Sequence, residues 1–206
     1  MRRLGLSLLV LFAPLAAPAA RASIAVGLSI DELAARSDLV AVGRVESVAA
    51  HWASDQRHIY TRVHVALTER WKGSAGAAID LVVPGGEVDG LGQAVAGEPR
   101  FESGERLVLF VRRRGEIYQL VGLAQGKFRV EGAPGAEEAL QDLSGLALAH
   151  RAPGGALSIG EHGEGAVPPL PLASLRRRVL EMLRPFGLRP SVGGAALLPR
   201  GTVAPP

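Results

Sequence analysis

The 206-residue chain contains no cysteine and carries 23 basic against 20 acidic residues, a formal net charge of +3. Without cysteine there are no disulfides, no thiol chemistry, no thiolate zinc sites and no iron–sulfur clusters. Three of the basic residues, Arg2, Arg3 and Arg21, precede Ser23, so the rest of the chain balances 20 basic against 20 acidic residues. This balance removes the electrostatic basis for a nucleic-acid partner, and we predict none.

The first 22 residues have the order of a secretory signal peptide. A positive start at Arg2 and Arg3 is followed by an apolar run from Leu4 to Ala13 and by the small-residue triplet Ala20-Arg21-Ala22. The apolar run is shorter than the roughly 20 residues that a membrane-spanning helix needs. We therefore predict cleavage after Ala22, export to the periplasm or the medium, and no membrane span in the mature protein.

The segment that follows begins with a helix signal. Ser29 and Glu32 have the spacing of a capping box, and Ile30, Leu33 and Ala34 provide an apolar side. These features predict a short helix over residues 28–37.

Alternating apolar residues then predict about six strands up to residue 131. In the segment from Ile59 to Trp71, apolar residues and Thr61 fall on one face and polar residues on the other. Turn signals such as Lys72-Gly73 and Pro84-Gly85-Gly86 separate the strands. The spacing predicts a mainly β fold for residues 23–131, as a small antiparallel barrel or sandwich with an N-terminal helix.

The remainder of the chain has a different composition. Residues 132–170 are rich in Gly, Ala and Pro without a sustained period, and Glu137 to Leu143 allow one or two helical turns. Residues 171–184 predict an amphipathic helix that begins at Pro171, because Leu172, Leu175 and Val179 form an apolar stripe. We expect residues 185–206 to be a flexible tail.

The sequence contains no convincing catalytic motif and no convincing metal-binding motif. No two of the five histidines have the i, i+4 spacing that places two ligands on one helix face. The segment Ala156 to Gly160 resembles a nucleophile elbow around Ser158, but alanine replaces the first glycine and no strand-turn-helix pattern surrounds it. We predict no catalytic residues, no metal ligands, no cofactor and no enzymatic activity.

A glycine-rich connection from Pro84 to Gly97 is the longest predicted loop between strands. Loops of this length are uncommon in compact domains and are often functional. Its polar candidates for binding are Glu87, Asp89, Gln93 and, just beyond it, Arg100. Two interpretations remain open, namely a structural cover over one end of the barrel and a ligand site.

Several motifs resemble those of a family of uncharacterised exported bacterial proteins. They cover about half of the chain and comprise SDLVAVGRVESV (37–48), IYT (59–61), WKG (71–73), PGGEVDGLGQ (84–93), GEPRF (97–101), GERLVLF (104–110) and QGKFRV (125–130). A more distant similarity is to the netrin-like OB-fold of tissue inhibitors of metalloproteinases, through Asp38, Val42 to Val45, and Lys72-Gly73. That resemblance implies a five-stranded, OB-like barrel. It also implies zinc chelation by the free amine and carbonyl of the mature N-terminus, which would be Ser23.

The function that the sequence favours is an exported, non-enzymatic β-barrel module that binds an unknown protein or cell-surface partner. Two alternatives remain open: an inhibitor of a secreted metalloprotease, and a secreted hydrolase that uses Ser158 or loop carboxylates. The candidate binding residues are Ser23, Glu87, Asp89, Gln93 and Arg100.

Overall fold

The computed structural model describes residues 23–143, 145–151 and 157–184; the predicted signal peptide and the predicted tail lie outside these residues. The fold is mainly β with two α-helices, as predicted. In chain order the elements are β1 (Ser23–Val26), α1 (Ile30–Arg36), β2 (Leu39–Trp52), β3 (Ile59–Lys72), β4 (Ala78–Pro84), β5 (Gly86–Val88), β6 (Leu91–Gln93), β7 (Arg106–Arg114), β8 (Ile117–Leu120), a 3-10 helix (Leu123–Gly126), β9 (Lys127–Glu131), β10 (Glu138–Gln141), β11 (Leu146–Arg151), β12 (Leu157–His162), β13 (Leu170–Pro171) and α2 (Leu172–Met182).

Five of the strands form a closed ring within an eight-stranded sheet. The sheet order is β13-β10-β9-β7-β2-β3-β4-β8, and β7 also pairs with β8, which closes the ring β2-β3-β4-β8-β7. All the pairings in this sheet are antiparallel except the one between β4 and β8, where Leu81 pairs with Tyr118. The ring strands share one buried cluster that includes Val63, Val65 and Leu109.

The two helices cover the other face of β2 and β7. Ile30 and Leu33 of α1 and Leu175 and Val179 of α2 join a second buried cluster with Phe110 and neighbouring strand residues. Because β7 is buried on both faces, the segment Leu107–Val111 is apolar at every position rather than alternating. Pro171 is the N-cap of α2 rather than its first helical residue, so the helix begins at Leu172, one residue later than predicted.

The junction between α1 and β2 explains the Lys72-Gly73 motif. The predicted capping box of α1 is present, with Ser29 and Glu32 exchanging hydrogen bonds. Lys72 Nζ donates to the carbonyl oxygen of Ala34 at 2.7 Å, at the end of α1. Gly73 has φ +76°, and a Cβ there would lie 2.1 Å from the carbonyl oxygen of Asp38. A glycine is therefore required where β3 ends against this junction.

The segment from Glu137 to Leu143, which the sequence allows as one or two helical turns, contains a strand instead. β10 occupies residues 138–141 and pairs antiparallel with β9 over four residues. A segment this short has no periodicity to distinguish helix from strand, so its long-range partner decides its conformation. Further along, β11 pairs with β12 and, in parallel, with β1, and the three form a separate sheet.

Candidate functional site

The glycine-rich connection contains a β-hairpin rather than an irregular loop. β5 and β6 pair over residues 86–93. Gln93 Oε1 accepts the backbone N–H of Ile59 at 2.6 Å, and Thr61 Oγ1 donates to the carbonyl oxygen of Gly85 at 2.7 Å. These bonds hold the hairpin against the start of β3. They give Gln93 a structural role in attaching this segment to β3.

The other predicted binding residues are exposed or lie elsewhere. Glu87, Asp89 and Arg100 have exposed side chains, and Asp89 occupies the turn of the hairpin with φ +52°. Ser23 is half-buried at the start of β1, where it pairs with Leu146. Among the described residues, no hydrogen bond or ion pair joins any two of the five candidates.

Glu98 is a titratable group that the sequence did not single out. It is half-buried, and burial raises the pKa of its carboxyl group above the ordinary value. The neighbouring Gly97 lies where the glycine-rich segment meets the three-stranded sheet, since a Cβ there would lie 3.0 Å from the Ser23 Cβ and 2.9 Å from Leu146 Cδ1. No sequence pattern marks this residue, because its burial comes from tertiary packing.

Polar side chains on the outer surface of the ring form one small network. His64 Nδ1 lies 2.7 Å from Asp80 Oδ1, and His64 Nε2 lies 3.6 Å from Glu46 Oε2. Arg62 also approaches Asp80 at 3.7 Å. In the part of the chain that the structure describes, no three histidine or carboxylate side chains are placed to hold a metal ion. The network is a partly exposed set of polar contacts on the surface of the ring, and the exposed Arg62 in it contributes little to stability.

Ser158 does not occupy a nucleophile elbow. It lies within β12, is exposed, and its hydroxyl donates to the His150 carbonyl oxygen over a long 3.4 Å. An elbow instead places the serine on a sharp turn from a strand into a helix. The position of Ser158 therefore gives the hydrolase alternative no geometric support.

The three-stranded sheet presents an exposed apolar face. On its inner side Leu146 and Leu148 pack into a buried cluster with Ala124 and Leu143. The register of the ladders places the alternate residues of β1, β11 and β12 on the opposite side. That side carries four large aliphatic side chains that are 55–61% exposed: Ile24, Val26, Leu157 and Ile159. We call these four residues the apolar sheet face.

Sequence reasoning missed this face because each contributing strand is short. β1 supplies two of the side chains and β12 the other two, and the strands are brought together only through β11, whose Ala149 pairs with both Val26 and Ile159. Two alternating residues in an isolated segment are too weak a signal for an amphipathic strand.

Comparison with known proteins adds no family assignment. No protein-family model matches this sequence, and no curated protein is significantly similar to it. Neither helix in the described ranges is long and apolar enough to cross a membrane.

Proposed function

We propose that this chain is an exported, non-enzymatic binding module that docks a protein partner on the apolar sheet face. The observation that carries the proposal is that Ile24, Val26, Leu157 and Ile159, all more than half exposed, lie on one side of the three-stranded sheet. Single exposed aliphatic residues are common on soluble proteins, whereas contiguous apolar patches mark interaction sites.

The free energy gained by covering these four side chains is of the size expected for the core of a protein interface. Covering the exposed part of each aliphatic side chain contributes about 1 kcal/mol, so the four together contribute several kcal/mol before the entropy cost of association. The outer edges of β1 and β12 pair with no other strand in the described residues. An added strand from the partner would extend the sheet at either edge, beside the apolar side chains.

The order of the ring strands supports an OB-like barrel as the scaffold. Numbered by their order along the chain, the first, second, third, fifth and fourth ring strands are successive neighbours, and the fourth returns to the first. The third and fifth are parallel to one another. This order supports the proposal of a five-stranded Greek-key barrel of the OB type, which the netrin-like resemblance in the sequence also implies.

Export is part of the same proposal and rests on the signal-like sequence of residues 1–22. N-terminal sequencing of the secreted protein should begin at Ser23. A secreted form that retains residues before Ser23, or a chain that stays in the cytoplasm, would contradict it.

The metalloprotease-inhibitor alternative requires Ser23 to project from the protein without being held by its own sheet. Chelation through the terminal amine and carbonyl needs that residue to enter the active site of a protease. Ser23 instead pairs with Leu146 and packs beside Gly97, which holds it along the sheet. Docking through the apolar sheet face is therefore the better-supported function.

A photo-reactive amino acid at position 159 of the secreted full-length chain tests the docking proposal. We expect it to cross-link one protein, and the same probe at Leu91 to give none. Leu91 is a matched control, since it is 60% exposed but lies on the β5–β6 hairpin.

The captured partner is then purified and its Kd measured by calorimetry. Because a charge would be buried without a counter-charge, Ile24→Asp and Ile159→Asp should each weaken binding by about tenfold or more. Leu91→Asp should leave the Kd unchanged. Equal effects at all three positions, with folding verified by circular dichroism, would refute the proposed surface.

A further inference from the structure

A cleft lined by three arginines lies apart from the network on the outer surface of the ring. It has a volume of about 270 Å³ and opens between the end of β1, the last turn of α1 and the β7–β8 hairpin. Arg36, Arg112 and Arg114 line it, and none of the other lining residues is Asp or Glu. The cleft is therefore a concentration of positive charge in a chain whose predicted mature form is neutral.

Two of the three guanidinium groups are only partly engaged, and the third has no partner among the residues that the structure describes. Arg112 donates through Nε and one terminal nitrogen to the Arg36 carbonyl oxygen, both at 3.3 Å, which leaves its other terminal nitrogen available. Arg36 approaches Glu32 at 3.7 Å, with both side chains about half exposed. The Arg114 guanidinium makes no hydrogen bond or ion pair with any described residue.

The nearby carboxylates offset only part of the positive charge, since Glu32 approaches Arg36 at 3.7 Å but no carboxylate lines the cleft itself. Asp38 accepts the backbone N–H of Arg113 at 2.8 Å, Glu32 also accepts the Ser29 N–H, and Glu116 is exposed in the hairpin turn. Like charges held close together raise the free energy of the unliganded protein, and a bound anion relieves this repulsion.

The rest of the cleft lining includes the buried Gln125 and several apolar side chains. Gln125 is 1% exposed, and its amide is fully used by Leu28 N, Val26 O and Gly122 O. It fixes the shape of the cleft without needing a ligand. Leu28, Leu120 and Val121 provide an apolar wall beside the arginines. A ligand that fits both parts has a charged head and an apolar body.

We propose that this cleft binds a small organic oxyanion that carries two negative charges. Phosphate monoesters and dicarboxylates share this chemistry, and the planar fork of arginine pairs with both groups in bidentate fashion. The site is independent of the proposed docking function. Val26 borders both surfaces, so the test leaves that residue unchanged.

Calorimetric titration of the mature secreted protein in low-salt buffer tests the proposal with three probes: phenyl phosphate, phthalate and inorganic phosphate. We expect saturable binding of phenyl phosphate or phthalate, and weaker binding of inorganic phosphate. Preference for phenyl phosphate identifies a phosphate ester as the ligand class, and preference for phthalate identifies a dicarboxylate.

Variants assign the binding to the cleft. Arg36→Ala and Arg114→Ala should each weaken binding of the preferred probe by about tenfold, because each removes a charge-assisted contact. Leu120→Ala should weaken an organic probe but not inorganic phosphate. Arg177→Ala is the matched control, since Arg177 is an exposed arginine on α2 outside the cleft.

Three results would overturn the proposal: no saturable binding of any probe, equal affinity for inorganic phosphate and the organic probes, or an equal loss in the Arg177 variant. Circular dichroism and unfolding midpoints in urea verify that each variant is folded.

Discussion

The buried side chain of Gln125 accepts the backbone N–H of Leu28 at 2.7 Å, across 97 residues of sequence. The same amide donates to the carbonyl oxygens of Val26 at 3.2 Å and Gly122 at 3.1 Å. One side chain therefore joins the N-terminal segment to the 3-10 turn that precedes β9.

Replacing Gln125 with alanine should lower the free energy of unfolding by about 2–3 kcal/mol, because it leaves the Leu28 N–H without its acceptor and opens a cavity. Urea unfolding followed by circular dichroism measures the change. Gln119→Ala, at an exposed position, should change it by less than about 0.5 kcal/mol. Equal effects of the two substitutions would contradict the structural role of Gln125.

Glu98 should make stability depend on pH in the opposite direction to most carboxylates. Burial raises the pKa of Glu98 in the folded protein, so the folded state binds the proton more tightly than the unfolded state does. The stabilisation of the folded protein that comes from protonated Glu98 is therefore present at acid pH. It is lost as the pH rises from the pKa of the unfolded state to that of the folded state.

Glu98→Gln should therefore stabilise the protein at neutral pH relative to the wild type, and this advantage should disappear below about pH 4. Unfolding midpoints measured across the pH range test the effect. The exposed Glu102→Gln serves as the control. A Glu98→Gln variant that is less stable than the wild type at pH 7 would show that the ionised carboxylate has a stabilising partner.

Gly73→Ala and Gly104→Ala separate backbone strain from steric overlap. Both glycines have positive φ, +76° and +87°, but only Gly73 faces a close neighbour, the Asp38 carbonyl oxygen. Gly104→Ala should cost about 1–2 kcal/mol from the left-handed conformation alone. Gly73→Ala should cost about 2–5 kcal/mol, since overlap at the α1–β2 junction is added. Thermal unfolding compares the two, and similar losses would exclude a special role for the Lys72-Gly73 motif.

Ser29→Ala should lower the free energy of unfolding by about 1 kcal/mol, because α1 loses the N-cap acceptor of the Glu32 N–H. Chemical denaturation measures the change, with the exposed loop residue Ser74→Ala as the control. A neutral Ser29→Ala substitution would mean that the packing of Ile30 and Leu33 alone determines where the helix begins.

The sequence predicted the elements whose signals are local. The capping box of Ser29 and Glu32 located α1, and the alternation from Ile59 located β3, whose buried residues include Val63 and Val65. The stripe of Leu172, Leu175 and Val179 located α2. These predictions succeeded because a long helix or strand that is buried on one face has apolar residues at regular intervals in its sequence.

The surfaces with candidate functions have no such local signal. Arg36 and Arg114 line one cleft although they belong to α1 and β7, and Ile24 and Ile159 share a face although they belong to β1 and β12. Each pairing depends on the tertiary arrangement of strands. The triplet of Arg112 to Arg114 was visible in the sequence, but its position beside α1 was not.

The parallel pairing of β1 with β11 constrains the order in which this protein can fold. Ser23 to Val26 are made early, yet their sheet partner, Leu146 to Ala149, lies in the last third of the chain. Such distant contacts form slowly, and the backbone groups of β1 that later pair with β11 stay available to chaperones or to other chains in the meantime. Truncation before residue 146 would remove β11, the strand with which β1 pairs.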